Sequence, residues 1–216
     1  MNEIANQRFQ KISEFIQEKI AKNSLPLAKS SNSLLYRWQH TLRVAQYGKQ
    51  LAEAEGGNPE LCVTACLLHD LAKFETRDYG VEHGRIGARM ARPLLSQLGY
   101  SYTEIENICF SIAVHVDDKA DFEHPITIES QIVNDADNID RFSNYRIVLN
   151  LAENSSTYEN LIRNAEGRIL RFKNYRGQNI MSTASGTLLF NKQIDLQIVL
   201  LERLIAEAKI TFLPEI

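Results

Sequence analysis

Apolar residues return every three or four positions along nearly the whole chain, the spacing that lines one face of an α-helix. The pattern predicts an amphipathic helix over residues 3–22, a loop written SLPLAKSSN, and a second helix from about Ser33 to Glu55 that stops at Gly56-Gly57. Asn58-Pro59-Glu60 then restarts a helix, with an N-cap residue, a proline at the first helical position and an acid in the first turn. This third helix is expected to end near Ala72. Thr103 with Glu106 has the spacing of a capping box ahead of a helix to His115, and Ser156 with Glu159 repeats it ahead of a helix to about Tyr175. Further helices are expected near 82–98, 128–151 and 184–208. Pro93 falls inside one of them and should kink or divide it, because it removes a backbone donor. No strand-like alternation, internal repeat or low-complexity run interrupts the pattern, so the expected fold is all-α.

Composition narrows the picture without changing it. With 216 residues, 44% of them hydrophobic, the chain can bury one good-sized core. A net charge of -3 offers no basic stripe, so nucleic-acid binding is not expected. No run of apolar residues is long enough for a membrane span, and the start MNEIANQRFQKISEF has no signal-peptide pattern, so a cytoplasmic protein is expected. Three cysteines do not suggest a disulfide framework. Cys62 and Cys66 share a helical face and are expected to be reduced core residues rather than metal ligands.

The chemistry sits on the histidines. His40 continues the stripe Tyr36, Val44, Tyr47, Leu51; His83 lies with Ile86, Met90 and Leu94; His115 ends the stripe Ile105, Ile108, Ile112; His69 follows Cys62 and Cys66. One inward histidine is ordinarily a core residue bonded to a carbonyl, but several on separate helices would each need a buried partner. A shared metal ion satisfies them together. Candidate carboxylates are Asp70, beside His69 in LLHDLAK, and Asp135, Asp137 and Asp140 in IVNDADNID, where Asp137 and Asp140 share a face with Val133. For Asp135 a solvated helix face is an equal alternative. Mixed imidazole and carboxylate donors suit zinc, manganese, iron or another first-row ion.

The order His40, His69-Asp70, Asp137 resembles the metal-binding signature of the HD-domain phosphohydrolase superfamily. VNDADNIDRF and TASGTLLFNKQIDLQIVLLERLIAE resemble segments of a bacterial subgroup of small HD hydrolases, and the likeness spans roughly residues 33 to 208. It implies a single HD-type bundle over 1–216 with the metal site in its core. That core spans about 33–151, with 1–32 as N-terminal helix and loop and 152–216 as C-terminal helices packed on it. It further implies that His40, His69, Asp70 and Asp137 bind one divalent ion while His83 and His115 bind a second, bridged by Asp70. Asp135 or Asp140 could stand in for Asp137. Iron, manganese and zinc are the expected metals, with magnesium, nickel or cobalt as substitutes in vitro.

The implied activity is hydrolysis of a phosphate ester of a small metabolite, a nucleotide above all, by metal-activated hydroxide oriented by Asp70. Lys73 matches a lysine that some subgroups place near the substrate phosphate, and Lys73, Arg77 and Arg85 are candidates for neutralising phosphoryl charge. Lys73 could equally complement a helix dipole. The chain lacks the glutamate at position 73 of single-metal nucleotidases and the GYP segment of the cyclic-dinucleotide subgroup, which counts against those substrates. Asp117 and Asp118 could orient a ligand histidine or form a solvated turn, and His124, beside Pro125 in a polar loop, is expected to be exposed and inert. The alternative function is a metal- or nucleotide-binding regulatory protein without catalysis. The oligomeric state is not legible.

Overall fold

Short polar side chains write the helix starts of this chain, and the computed structural model shows which of them the backbone uses. It describes residues 2–22, 34–75 and 79–210; the loop SLPLAKSSN, Ser33 and Arg77 lie outside these. Among the described residues the chain is helical with no strand: α1 (Glu3–Lys22), α2 (Leu34–Glu55), α3 (Pro59–Leu68), α4 (His83–Gln97), α5 (Tyr102–Val114), α6 (Ile128–Arg141), α7 (Asn144–Asn154), α8 (Tyr158–Gln178) and α9 (Ala184–Ala208). Two 3₁₀ turns, Leu71–Phe74 and Gly80–Glu82, connect α3 to α4. The all-α expectation holds. No helix among the described residues is long and apolar enough to cross a membrane.

The core forms where α2, α3, α5 and α6 meet, with α4 laid on α5, α1 on α3, and α9 joining α8 to α6 and α2. Leu51, Leu68, Ile108, Ile112 and Ile132 are sealed from solvent there, each contributing about 1.5–3 kcal/mol of apolar burial. Cys62, Cys66 and Cys109 are free and buried, and burial pushes their thiols up, as core cysteines require. Close crossings depend on glycine. A Cβ on Gly48 would come within 2.5 Å of Cys66 Sγ, so α2 reaches α3 only because none is there.

Several boundaries differ from the sequence expectation. The third helix is α-helical only to Leu68 and then tightens into the Leu71–Phe74 turn. The capping box of α5 uses Ser101 and Glu104 instead of Thr103 and Glu106: Glu104 Oε2 accepts from Ser101 N at 2.7 Å. Both spacings are present in the sequence, but Glu106 is engaged by Arg92. Likewise α8 is capped by Thr157, whose Oγ1 accepts from Asn160 N at 3.2 Å, and not by Ser156. The expected helix 128–151 breaks at Phe142-Ser143. Gln193 Nε2 takes the carbonyls of Ile139 (2.8 Å) and Phe142 (2.6 Å), and Ser143 caps α7. Pro93 does not divide α4, which runs through it as one helix. The buried face of α4 also differs, being the small-residue stripe Gly84, Gly87, Ala88, Ala91 with Leu95, while Ile86, Met90 and Leu94 are only half-buried.

Candidate metal centre

Buried ionisable groups are costly unless paired, hydrogen-bonded or bound to a metal, and this core contains many of them. His40, His69, Asp70, His83, His115 and Asp137 are all buried. Three histidines sit at helix boundaries: His69 follows α3, His115 follows α5 and His83 opens α4 after the 3₁₀ turn. After the last turns of α3 and α5 backbone carbonyls are left without a helical donor, whereas at the start of α4 the Gly80 carbonyl also takes the backbone N–H of His83. His69 Nδ1 lies 2.7 Å from Cys66 O, His115 Nδ1 2.7 Å from Ile112 O, and His83 Nδ1 2.5 Å from Gly80 O. A carbonyl can only accept, so each Nδ1 carries the proton and each Nε2 keeps a lone pair. His40 stands mid-helix in α2 and is held differently, with Nδ1 2.7 Å from Asp140 Oδ2. Asp140 is in turn gripped by Arg43, Nε to Oδ1 at 2.6 Å.

All of these Nε2 atoms converge. His40 Nε2 is 3.1 Å from His69 Nε2, and His83 Nε2 is 3.2 Å from His115 Nε2. Lone pairs that close repel unless a cation or proton lies between them. Asp137 Oδ1 stands 3.3 Å from His40 Nε2 and 3.8 Å from His69 Nε2. Asp70 lies between the pairs. Its Oδ2 is 3.8 Å from His40 Nε2 and 3.7 Å from His69 Nε2, and its Oδ1 is 3.3 Å from His83 Nε2 and 3.7 Å from His115 Nε2. Asp70 Oδ1 is buried without a hydrogen-bond donor, though Lys73 Nζ is an ion-pair partner at 2.8 Å. His40, His69 and Asp137, and also His69, Asp70 and His115, bring donor atoms close enough to hold a metal ion.

The close approach of α4 to α5 makes the second pair possible. A Cβ on Gly84 would lie 2.7 Å from Ala113 O, so only glycine lets His83 come up beside His115.

The site attracts positive charge. Burial raises the cost of ionising Asp70, but its contacts with His69, His115, His83 and Lys73 outweigh it and hold the carboxyl well below its usual range. Asp137 is lowered in the same way, chiefly by His40. Burial depresses His69 to about 4, which keeps the imidazole neutral and able to ligate. His40 is raised to about 9: burial opposes its charge, and the bonds to Asp137 and Asp140 prevail.

His40, His83, His115, Asp70 and Asp137 open onto a cavity of about 320 Å³ whose wall includes Tyr36, Arg37, Lys73, Arg141 and Arg146. Arg37 Nη1 is 3.7 Å from Asp70 Oδ2. Arg146 donates to the Tyr36 hydroxyl at 2.6 Å. Lys73 lies on the cavity wall. Arg85 is not on that wall; Glu82 and Asp117 engage its guanidinium at 2.6 and 2.8 Å. Asp117 thus neutralises Arg85 instead of orienting a histidine, and Asp118 occupies a turn at φ 57°. Asp135 accepts from Ser182 N, Thr183 N and Thr183 Oγ1 and ties down the start of α9, and Asp140 holds His40 from behind. Neither replaces Asp137 in the cluster. His124 is half-buried and not exposed as its polar loop suggests, because its ring stacks on Phe110. Arg37 was detectable in the sequence, one helical turn before His40, but Arg146 follows a helix break and carried no such signal.

Residues 37–141 match the HD domain family. Ribonuclease Y of Sulfurovum sp. is 34% identical over 100 residues, covering 46% of this chain and 17% of that protein. Ribonuclease Y of Chloroflexus aurantiacus is 36% identical over 101 residues, 47% of this chain and 18% of that protein. The chain thus spans less than a fifth of these curated relatives. Among solved structures, a predicted HD superfamily hydrolase from an uncultured Thermotogales bacterium superposes with a TM-score of 0.65 at 19% identity, over 92% of this chain and 91% of that one. Bacillus subtilis YpgQ in complex with ADP superposes at 0.64 and 16% identity, over 94% and 96%. At these identities the structural likeness is one of fold.

Proposed function

We propose, from the match of residues 37–141 to the HD domain family, that the protein is a metal-dependent phosphohydrolase acting on a small phosphorylated metabolite, a nucleotide in particular. The observation that carries this reading is Asp70, which turns one oxygen to the His40–His69 pair and the other to the His83–His115 pair. That arrangement supports two divalent ions, one held by His40, His69, Asp70 and Asp137 and one by His83, His115 and Asp70. Imidazole and carboxylate donors suit iron, manganese or zinc. When bound, such a pair supplies Lewis-acid stabilisation of phosphoryl charge and acidifies the attacking water.

The protein's own groups do the remaining work. Asp70 would accept a hydrogen bond from that water and so orient it. Lys73 and Arg37, both beside Asp70, offer N–H donors to phosphoryl oxygens at the cavity floor. Arg141 and Arg146 add positive charge on the wall, and Tyr36 fixes the direction of Arg146. The cavity volume falls at the lower end of small-molecule pockets, roughly 300–1,000 Å³, which suits a nucleotide better than a polymer. That the fold neighbour YpgQ was crystallised with ADP supports the same substrate class.

Full-length protein loaded with manganese, iron or zinc should release phosphate from at least one member of a panel of phosphomonoesters, nucleotides, dinucleotides, a short oligoribonucleotide and an aryl phosphate, and chelator should stop it. A chain verified to carry metal that hydrolyses none of them would instead be a regulatory HD protein.

A further inference from the structure

Arg141 and Arg146 face two cavities. One is the metal-centre cavity; the other, of about 190 Å³, lies where the end of α6 meets α7, α8 and α9. Arg168 and Arg171 of α8 complete its basic lining, and no Asp or Glu lines it. The other cations on this stretch of α8 are neutralised: Lys173 pairs with Glu202 at 2.9 Å and Arg176 with Asp195 at 3.1 Å. Among the described residues Arg141, Arg146, Arg168 and Arg171 form no ion pair. Arg168 instead donates to Asn150 Oδ1, which orients it without cancelling its charge.

Such a cluster works against itself. Burial, then the charges of Arg171 and Arg146, depress the pKa of Arg168. The chain as a whole carries a net charge of -3, so this is not the spill-over of a generally basic protein. Unpaired guanidiniums around a small cavity gain most from a ligand that brings several oxygens and negative charge, and their planar forks match phosphate geometry. Sharing Arg141 and Arg146 with the metal-centre wall makes the two cavities continuous in charge.

We infer that the second cavity is a subsite for a distal phosphate, so that the substrate carries at least two phosphate groups. One lies over Asp70 and the other among Arg146, Arg168 and Arg171. The near group's assignment rests on the phosphohydrolase reading; the distal subsite rests on the arginine cavity itself. Arg168 and Arg171 act here as positioning residues, remote from the bond that breaks.

Equilibrium binding separates the two claims, because it needs no turnover. Calorimetry on the metal-loaded, full-length chain would use the non-hydrolysable α,β-methylene analogue of adenosine diphosphate, with adenosine monophosphate as reference. Wild type should prefer the diphosphate analogue. Arg168→Gln and Arg171→Gln should each reduce that preference about tenfold, the effect of losing one charge-assisted hydrogen bond, while the affinity for the monophosphate moves much less. Arg168→Lys should retain most of the preference. Arg171 is exposed, so Arg171→Gln guards against a variant that merely fails to fold. A wild-type chain without the preference, or glutamine variants that keep it, would overturn the subsite. A chain that hydrolyses nothing but shows this loss would retain the subsite and give up the phosphohydrolase reading.

Discussion

The histidines of the centre are held in two ways, and the difference separates local from tertiary design. His69, His83 and His115 each bond a carbonyl three residues earlier in their own segment. One short bond fixes the tautomer and aims Nε2 inward, and at His69 and His115 it also takes up a carbonyl at a helix end. His40 has no such carbonyl, because mid-helix carbonyls are already used by the helix. Its anchor is Asp140, 100 residues away in sequence, itself pinned by Arg43. A carboxylate anchor makes its imidazole a more basic donor than a carbonyl anchor does. The half containing His40 therefore combines one strong, tertiary-dependent donor with His69, whereas the His83–His115 half depends on local helix ends and on the close packing that Gly84 allows.

The most disruptive test ignores this division: Asp70→Ala removes the group common to both halves. Metal analysis of wild type purified without chelator should approach two ions per chain under the dinuclear reading. The variant should lose most of both and release no measurable phosphate. A variant that keeps one ion at full occupancy would show that Asp70 serves a single half.

Removing one half should spare the other. His83→Ala or His115→Ala should lower the metal content towards one ion per chain with an unchanged helical circular-dichroism spectrum. If both ions and full activity survive, these histidines are core or substrate-contacting residues.

The anchors themselves are distinguished by Asp140→Asn, which keeps shape and removes charge. Metal affinity of the His40 half should fall roughly 10–100-fold, the usual cost of losing an outer partner of a ligating histidine. The His83–His115 half should be untouched in a metal titration. An equal loss at both halves would mean that the carboxylate acts through the fold as a whole.

The smallest effect is on stability. An ion present at about a hundred times its Kd stabilises the native state by about 2.7 kcal/mol. At about 2–4 °C per kcal/mol for a chain of this size, chelation should lower the melting temperature by roughly 5–10 °C. The drop should be smaller in Asp140→Asn, whose native state holds its ion less tightly. An unchanged melting curve after verified metal removal would count against a buried site spanning several helices.

Helical periodicity and end signals are local, and they were legible. Residues 3–22 and 184–208 are helical as the apolar spacing predicts, and Asn58-Pro59-Glu60 starts α3 as read, with Asn58 Oδ1 accepting from Glu60 N at 3.0 Å. The inward direction of His40, His69 and His115 was equally legible, because a residue's face follows from its phase along one helix, whereas His83 is buried although the stripe it was read with, Ile86, Met90 and Leu94, is only half-buried. Where two capping patterns competed, as at Ser101 and Thr103, the outcome depended on a partner elsewhere. Arg92 occupies Glu106, and α4 has already ended at Gly99, whose φ of 74° suits glycine.

The sequence by itself determined that the chain is helical and that imidazoles and carboxylates point inward at particular positions, since each of these follows from the repeat of a single helix. Only the tertiary structure decided what each carboxylate does. Asp135 secures the start of α9, Asp137 joins the histidines and Asp140 grips His40 from behind, though the three lie within two turns of one helix. It also decided that Arg85 is neutralised by Glu82 and Asp117 while Arg146 reaches the cavity. The reason is physical: the phase of a side chain is set by its own backbone, but its partner is set by how closely and at what angle another helix crosses. Here those crossings depend on glycines such as Gly48 and Gly84, whose importance lies in the atoms that a Cβ would strike.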